Sequence, residues 1–238
     1  RVRGTHPAKS IIGMKNMRLP DNAIYDIAPA ASTERILLLM LPGAKNTPQQ
    51  LADYGFIRTL RERGLPVDVL VLDAHVDLYL ERADIERLLQ QTLDEVHASG
   101  YRRIWLLGIS LGGTGAMLCA TQRSAEIEGV LLLAPFLGTR GIIAEVEAAG
   151  GLQKWQAGEI SSRDYERALL EQLKSRPPGT AGFPPVFLGY GREDRYRGSS
   201  VMLSAHLPGQ RVAVIPGGHD WETWVMLWQK LLDMEPFV

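Results

Sequence analysis

The chain has 238 residues, 45% of them hydrophobic and 22% charged, a size and balance suited to a folded domain with a large buried core and unlike a disordered or fibrous chain. Its 26 basic and 27 acidic side chains leave a net charge of −1, with no basic tract to follow a phosphate backbone, so nucleic acid is not an expected partner. The longest apolar run, from Ile36 to Leu41, falls far short of the ~18 residues needed to cross a bilayer, so no membrane span is expected.

Short apolar runs alternate with helical patterns, the signature of a parallel sheet wrapped by helices. Residues 23–27 read as an edge strand and 35–41 as a buried one, followed by the turn Pro42-Gly43-Ala44-Lys45 and a helix over 48–63. A buried strand at 66–73 leads through a loop with Asp73, His75 and Asp77 into a helix over 82–99, whose Ile85, Leu88, Leu89, Leu93 and Val96 share one face. The strand 103–109 is followed by a helix over 112–123. After the strand 129–134 comes 137–183, longer than a crossover needs, with two helical patterns at 142–149 and 161–174. Ser161 with Asp164 three residues on resembles a capping arrangement for the second, and Pro177-Pro178-Gly179 stops it. Insertions at the carboxyl ends of strands overhang the ligand crevice of an open parallel sheet, so 137–183 is expected to form a small lid. The strand 185–190, a helix over 199–206, the strand 211–215 and a helix over 221–233 complete a single domain over 1–238, with no internal repeat or linker.

The most specific signal is Gly108-Ile109-Ser110-Leu111-Gly112, which sets a serine on a strand-to-helix turn. So tight a turn leaves room around an exposed hydroxyl only where neighbouring residues lack a Cβ, hence the flanking glycines. A serine hydroxyl is a weak nucleophile near neutral pH and needs a base within hydrogen-bond reach, itself oriented by a third group. Gly191-Arg192-Glu193-Asp194 follows the strand 185–190, and Pro216-Gly217-Gly218-His219-Asp220-Trp221 follows 211–215. Ser110, Asp194 and His219 thus come after three different strands on one edge of the sheet. His75 is the rival base, whereas His97 and His206 lie in helical patterns and His6 in the N-terminal tail. Glu193 and Asp220 are the rival acids. Asp73, His75 and Asp77 have no metal-ligand spacing that outranks turn chemistry, and neither metal nor cofactor is expected.

The chain order serine, acid, histidine resembles the α/β-hydrolase superfamily over most of the chain. Gly-Ile-Ser-Leu-Gly-Gly-Thr-Gly-Ala and Gly-Gly-His-Asp-Trp-Glu-Thr-Trp are most similar to the elbow and histidine loop of the esterase D-like carboxylesterases. This resemblance implies an α/β-hydrolase fold, a mostly parallel central sheet with helices on both faces and the helical lid after the sixth strand. It also implies a serine esterase acting on a small-molecule carboxylic ester or thioester, with Ser110 as nucleophile, His219 as base and Asp194 as the acid. The oxyanion hole would take one backbone N–H from Leu111 and another from Ala44, or from Lys45 if the register shifts by one. An acyltransferase or a peptidase would use the same triad, and a non-catalytic homologue would use the pocket as a receptor.

Trp221, Trp224 and Trp228 recur at helical spacing and read as a core stripe, with Trp221 also a candidate wall of the substrate pocket. Arg192, Arg195 and Arg197 beside the acid read as a solvated loop, with Arg195 carried as a candidate contact for an anionic substrate group. Cys119 is the only cysteine, so no intramolecular disulfide forms, and it reads as a small buried residue of the helix after Ser110. A cytoplasmic location is favoured, with export after signal removal as the alternative, since the chain starts at Arg1.

Overall fold

The computed structural model describes residues 22–29, 35–161 and 163–237, so His6 lies outside the described residues. In chain order the elements are β1 (Ile24–Asp26), β2 (Ile36–Leu41), α1 (Pro48–Asp53), α2 (Phe56–Glu62), β3 (Val67–Val71), α3 (Arg82–Ala98), β4 (Arg103–Ile109), α4 (Leu111–Gln122), β5 (Gly129–Leu133), α5 (Arg140–Ala148), α6 (Tyr165–Ser175), β6 (Val186–Gly191), α7 (Arg197–Ser204), β7 (Val212–Ile215) and α8 (Trp221–Leu232). The strands form one seven-stranded sheet in the order β1-β3-β2-β4-β5-β6-β7. All pairings are parallel except that of β1 with β3.

Because successive side chains of a strand point to opposite faces, a central strand covered on both sides must be apolar throughout. β2 is such a strand, buried at all six positions. Its Leu37, Leu39 and Leu41 pack with Ile85, Leu89 and Leu93 of α3, Met117 of α4 and Leu169 of α6. Ile36, Leu38 and Met40 face the other way, towards Leu51 of α1, Phe56 and Leu60 of α2 and Trp224, Leu227 and Trp228 of α8. Each fully buried leucine contributes about 1.5–3 kcal/mol relative to exposure, so the two half-cores together hold the sheet between its helical layers. The indole N–H of Trp228 donates to the Phe56 carbonyl at 3.1 Å and joins α8 to α2.

The helix expected over 48–63 is two helices. Thr47 starts α1 with a capping box to Gln50, and the chain breaks at Gly55, whose φ of +86° cannot continue an α-helix. Nor does Ser161 cap the helix expected at 161–174: Asp164 does, accepting from the Arg167 N–H at 3.0 Å, so α6 begins at Tyr165. Similarly, α7 starts at Arg197, before the expected 199. The insertion follows β5, and not a sixth strand, because β1 alone precedes β2 among the described residues.

One charged side chain interrupts the apolar β3. Asp68, 1% exposed, accepts from the Ala28 N–H and from Arg35 Nη2, both at 2.8 Å, and from the Tyr101 hydroxyl at 2.6 Å. Burial first, and then the hydrogen bond to Asp68, hold the Tyr101 phenol well above its usual pKa, so it stays a donor. Asp68→Ala takes this carboxylate from the Arg35 guanidinium and leaves the Tyr101 hydroxyl only its contact with the Tyr25 hydroxyl. We expect a loss of about 3 kcal/mol, a fall of roughly 6–12 °C in Tm for a chain of this size. An unchanged melting curve would show that the network contributes nothing.

Candidate active site

After β2 the chain moves outward to β3, and after β4 it moves the opposite way to β5. The loops leaving the carboxyl ends of the adjacent β2 and β4 therefore diverge and open a crevice between them. Ser110 sits there at the end of β4, beside the turn that follows β2, where the Asn46 N–H donates to the Gly43 carbonyl at 2.9 Å. Ser110 has φ 51° and ψ −116°, backbone space that costs a non-glycine residue about 1–3 kcal/mol. Three backbone hydrogen bonds hold it: its N–H donates to Leu133 O at 3.0 Å, and its carbonyl accepts from the N–H groups of Gly113 at 2.9 Å and Phe136 at 2.8 Å. The glycines at this turn are sterically required. A Cβ on Gly108 would fall 2.5 Å from Gly112 O, and one on Gly112 would fall 2.0 Å from Leu41 O.

Across the crevice, β6 and β7 deliver Asp194 and His219. His219 Nε2 lies 2.8 Å from Ser110 Oγ, and its Nδ1 lies 2.7 Å from Asp194 Oδ2. The Asp194 side chain is 1% exposed and that of His219 11%. The second carboxylate oxygen of Asp194 accepts from the Tyr196 N–H at 2.7 Å. The imidazole meets Tyr196 and Trp224 edge-on, with ring centroids 4.9 and 5.1 Å away. These contacts fix the ring plane, and hydrogen bonds at both nitrogens fix its rotation about that plane.

The rival groups are engaged elsewhere. Glu193 latches the two loops together: its carboxylate accepts from the Gly217 N–H at 2.5 Å, and its own N–H donates to Gly217 O at 3.0 Å. Asp220 caps α8, accepting from the Thr223 N–H at 2.9 Å. His75 is exposed beside Asp77, at 3.6 Å, and His97 pairs with Glu126 at 2.8 Å.

Leu111 opens α4, so its N–H has no helical carbonyl four residues earlier to bond, and the positive end of the helix dipole lies at Ser110. A Cβ on Gly43 would lie 3.4 Å from Ser110 Cβ, which sets the turn after β2 directly against the serine. Ala44, rather than Lys45, lines the adjoining cavity together with Ser110 and Leu111.

That cavity has a volume of about 290 Å³, and its remaining walls are Val76, Tyr79, Leu80, Phe136, Tyr165 and Tyr196. Sequence reasoning missed these walls. Phe136 and Tyr196 carried a signal, since they fall just past β5 and β6 on the same sheet edge as the serine. Tyr79 and Tyr165 carried none, because they meet only through tertiary packing, with ring centroids 6.4 Å apart. Two residues expected at the pocket stand beside this cavity and not in its lining. Trp221 does not line this cavity, because its ring stacks on Tyr54 at 4.2 Å and meets Phe56 edge-on. Arg195 does not line it either, because its guanidinium lies over the Tyr196 ring, 4.8 Å from the centroid.

The 137–183 segment reaches the cavity through Tyr165, at the start of α6. Burial first, then neighbouring Glu166, push the Tyr165 phenol up to about 12, so it is a neutral wall. Arg163 forms an ion pair with Glu81 at 3.0 Å, bridging this segment to the residue before α3. Cys119 is buried in α4, and burial pushes its thiol up to about 12, which makes it an inert packing residue. Among the described residues no three His, Cys, Asp or Glu side chains are grouped to hold a metal ion, and no helix is long and apolar enough to cross a membrane.

The sheet order, the crevice at its switch point and the strand-ending serine define the class: the chain has the α/β-hydrolase fold. Among solved structures it is similar to an S-formylglutathione hydrolase from Agrobacterium tumefaciens, at 17% identity and TM-score 0.62, over 90% of this chain and 88% of that one. It is also similar to an S-formylglutathione hydrolase from Staphylococcus aureus, at 16% identity and TM-score 0.60, over 86% of this chain and 83% of that one. Est1E from Butyrivibrio proteoclasticus aligns at 18% identity and TM-score 0.59, over 90% of this chain and 93% of that one. No protein-family model and no curated protein sequence matches the chain. The resemblance read from the elbow and histidine loop is thus met at the level of the fold.

Proposed function

We propose that the protein is a serine hydrolase that cleaves small carboxylic esters or thioesters through an acyl-enzyme on Ser110. The observation that carries this reading is the hydrogen-bonded row from Ser110 through His219 to buried Asp194, opening on a mostly apolar cavity. With Nδ1 protonated, His219 donates to Asp194 and leaves the Nε2 lone pair facing the serine hydroxyl. Ser110 Oγ attacks the acyl carbonyl as Nε2 takes its proton, and Asp194 remains ionised to stabilise the imidazolium. The N–H groups of Leu111 and Ala44 hold the developing oxyanion, each such donor being worth about 100- to 1,000-fold in turnover. When the tetrahedral intermediate collapses, the C–O or C–S bond breaks and His219 protonates the departing oxygen or sulfur, which leaves as the alcohol or thiol. Water then gives a proton to His219 and attacks the acyl-serine; as the bond to Oγ breaks, His219 returns that proton to Ser110 and the carboxylic acid leaves.

The likeness to solved S-formylglutathione hydrolases and to a ferulic acid esterase supports the same class of chemistry. The cavity suits a short acyl chain, and the 137–183 segment acts as a lid-like wall that limits its length through Tyr165. Purified protein is therefore expected to hydrolyse p-nitrophenyl acetate and butyrate well and the palmitate poorly. Tyr165→Ala is expected to raise the octanoate-to-acetate ratio of kcat/KM about tenfold, the effect of removing a large buried wall. No turnover of any short-chain ester by folded protein would refute the hydrolase reading, and an unchanged ratio would deny the segment a part in chain-length selection.

A further inference from the structure

Most described arginines are neutralised by a carboxylate. Arg35 pairs with Asp68, Arg61 with Asp26, Arg123 with Asp94 and Glu126, and Arg167 with Glu145. Beside Tyr196, a wall of the Ser110 cavity, arginines lack such a partner among the described residues, as Arg102, Arg176 and Arg211 do elsewhere. Arg140 at the start of α5 and Arg195 after the acid place their guanidiniums 5.4 and 4.8 Å from the centroid of the Tyr196 ring; Arg192 lies in the same loop as Arg195, and Arg197 opens α7 directly after it. All four side chains are exposed, and among the described residues none has a carboxylate within 4.0 Å. The acids nearby are committed elsewhere: Asp194 to His219 and the Tyr196 N–H, Glu193 to the Gly217 N–H. Glu147 of α5 approaches Gly198 without forming an ion pair with this cluster. Arg197 donates to the carbonyl of Arg192 and so ties the loop to itself, which leaves Arg140, Arg192 and Arg195 with donors to spare.

We propose that this arginine cluster is a binding site for an anionic group, a carboxylate or a phosphate, on the leaving-group side of the substrate. Two guanidiniums held against one ring repel one another in the free protein, and an oxyanion relieves that repulsion while accepting charge-assisted hydrogen bonds. Tyr196 gives the cluster a fixed platform through cation–π contact. The same ring lines the cavity and touches His219, so an anion held here lies on the side where the histidine protonates the departing oxygen or sulfur. Which end of the substrate carries the anion rests on the hydrolase reading above; the existence of the site does not.

The test compares esters with one acyl group: 4-acetoxybenzoate, 4-acetoxyphenyl phosphate and the neutral methyl 4-acetoxybenzoate. At least one anionic ester is expected to exceed the neutral one in kcat/KM by about tenfold at low salt, with the preference falling as ionic strength screens it. The paired substitution Arg140→Ala with Arg195→Ala is expected to bring that ratio at least threefold closer to one. Mono-p-nitrophenyl succinate, whose anion sits on the acyl side, gains no such preference over p-nitrophenyl butyrate. Calorimetry on Ser110→Ala protein, which needs no turnover, is expected to show the preferred anionic ester binding about tenfold more tightly than the methyl ester, and the arginine variant losing the difference. Equal binding of charged and neutral esters, or a preference that survives both substitutions, would overturn the proposal whatever the fate of the hydrolase reading. Selective anion binding without hydrolysis of any ester would sink that reading and leave the site standing.

Discussion

Ser110→Ala is expected to lower kcat for short-chain p-nitrophenyl esters by about 10⁴- to 10⁶-fold, with folding intact. In the proposed mechanism Ser110 Oγ forms the new bond to the acyl carbon, so its removal would leave only what the oxyanion donors and the cavity contribute. Alanine keeps the same backbone demand at φ 51° and the same Cβ, and only the hydrogen bond to His219 Nε2 is lost. The melting temperature is therefore expected to move by only about 2 °C. Residues that act as a unit are not additive: His219→Ala is expected to cost about as much, and the double variant little more than either alone. A Ser110→Ala protein that retains a tenth of the activity would place the nucleophile elsewhere.

Asp194→Asn is expected to lower kcat by about 10⁴-fold, for a reason the geometry dictates. One oxygen of Asp194 accepts from the Tyr196 N–H, and the other faces His219 Nδ1. An asparagine must keep its carbonyl oxygen on the Tyr196 amide and turn its NH₂ towards the imidazole. His219 Nδ1 can then only accept, so the ring proton moves to Nε2, where the serine needs a lone pair. The side chain keeps its size and its place, so the loss reports the wrong tautomer rather than a collapsed loop. Glu193→Gln, one residue earlier, loosens the latch to Gly217 without touching the imidazole and serves as the comparison. Equal effects of the two substitutions would assign Asp194 a structural role only.

The sheet was legible because its buried strands are continuous apolar runs, and the run at 103–109 coincides with β4. The three central site residues were legible for a related reason: each comes soon after such a run, and parallel strands bring their carboxyl ends to one edge. Helix boundaries were less so. The apolar pattern runs on through 48–63, but the left-handed backbone at Gly55 divides it, and a glycine inside a helical pattern does not announce which conformation it takes. At 161–174 both Ser161 and Asp164 are good capping residues, and only the bond to the Arg167 N–H decides between them. The pocket was the least legible part. Trp221 shares its helical spacing with Trp224, yet Trp224 meets the His219 imidazole while Trp221 stacks on Tyr54, a distinction set by where α1 and α2 separate. Tyr79 and Tyr165 come from segments far apart in sequence, and no local pattern places two rings on either side of one cavity.

The most direct test of the central claim is to treat the folded protein with a fluorophosphonate and to locate the adduct by mass spectrometry of its peptides. Interlocked Ser110, His219 and Asp194 predict one stoichiometric phosphonyl adduct on Ser110, absent in Ser110→Ala and greatly slowed in His219→Ala. An unlabelled Ser110 in folded protein, or an adduct formed equally fast without His219, would contradict it.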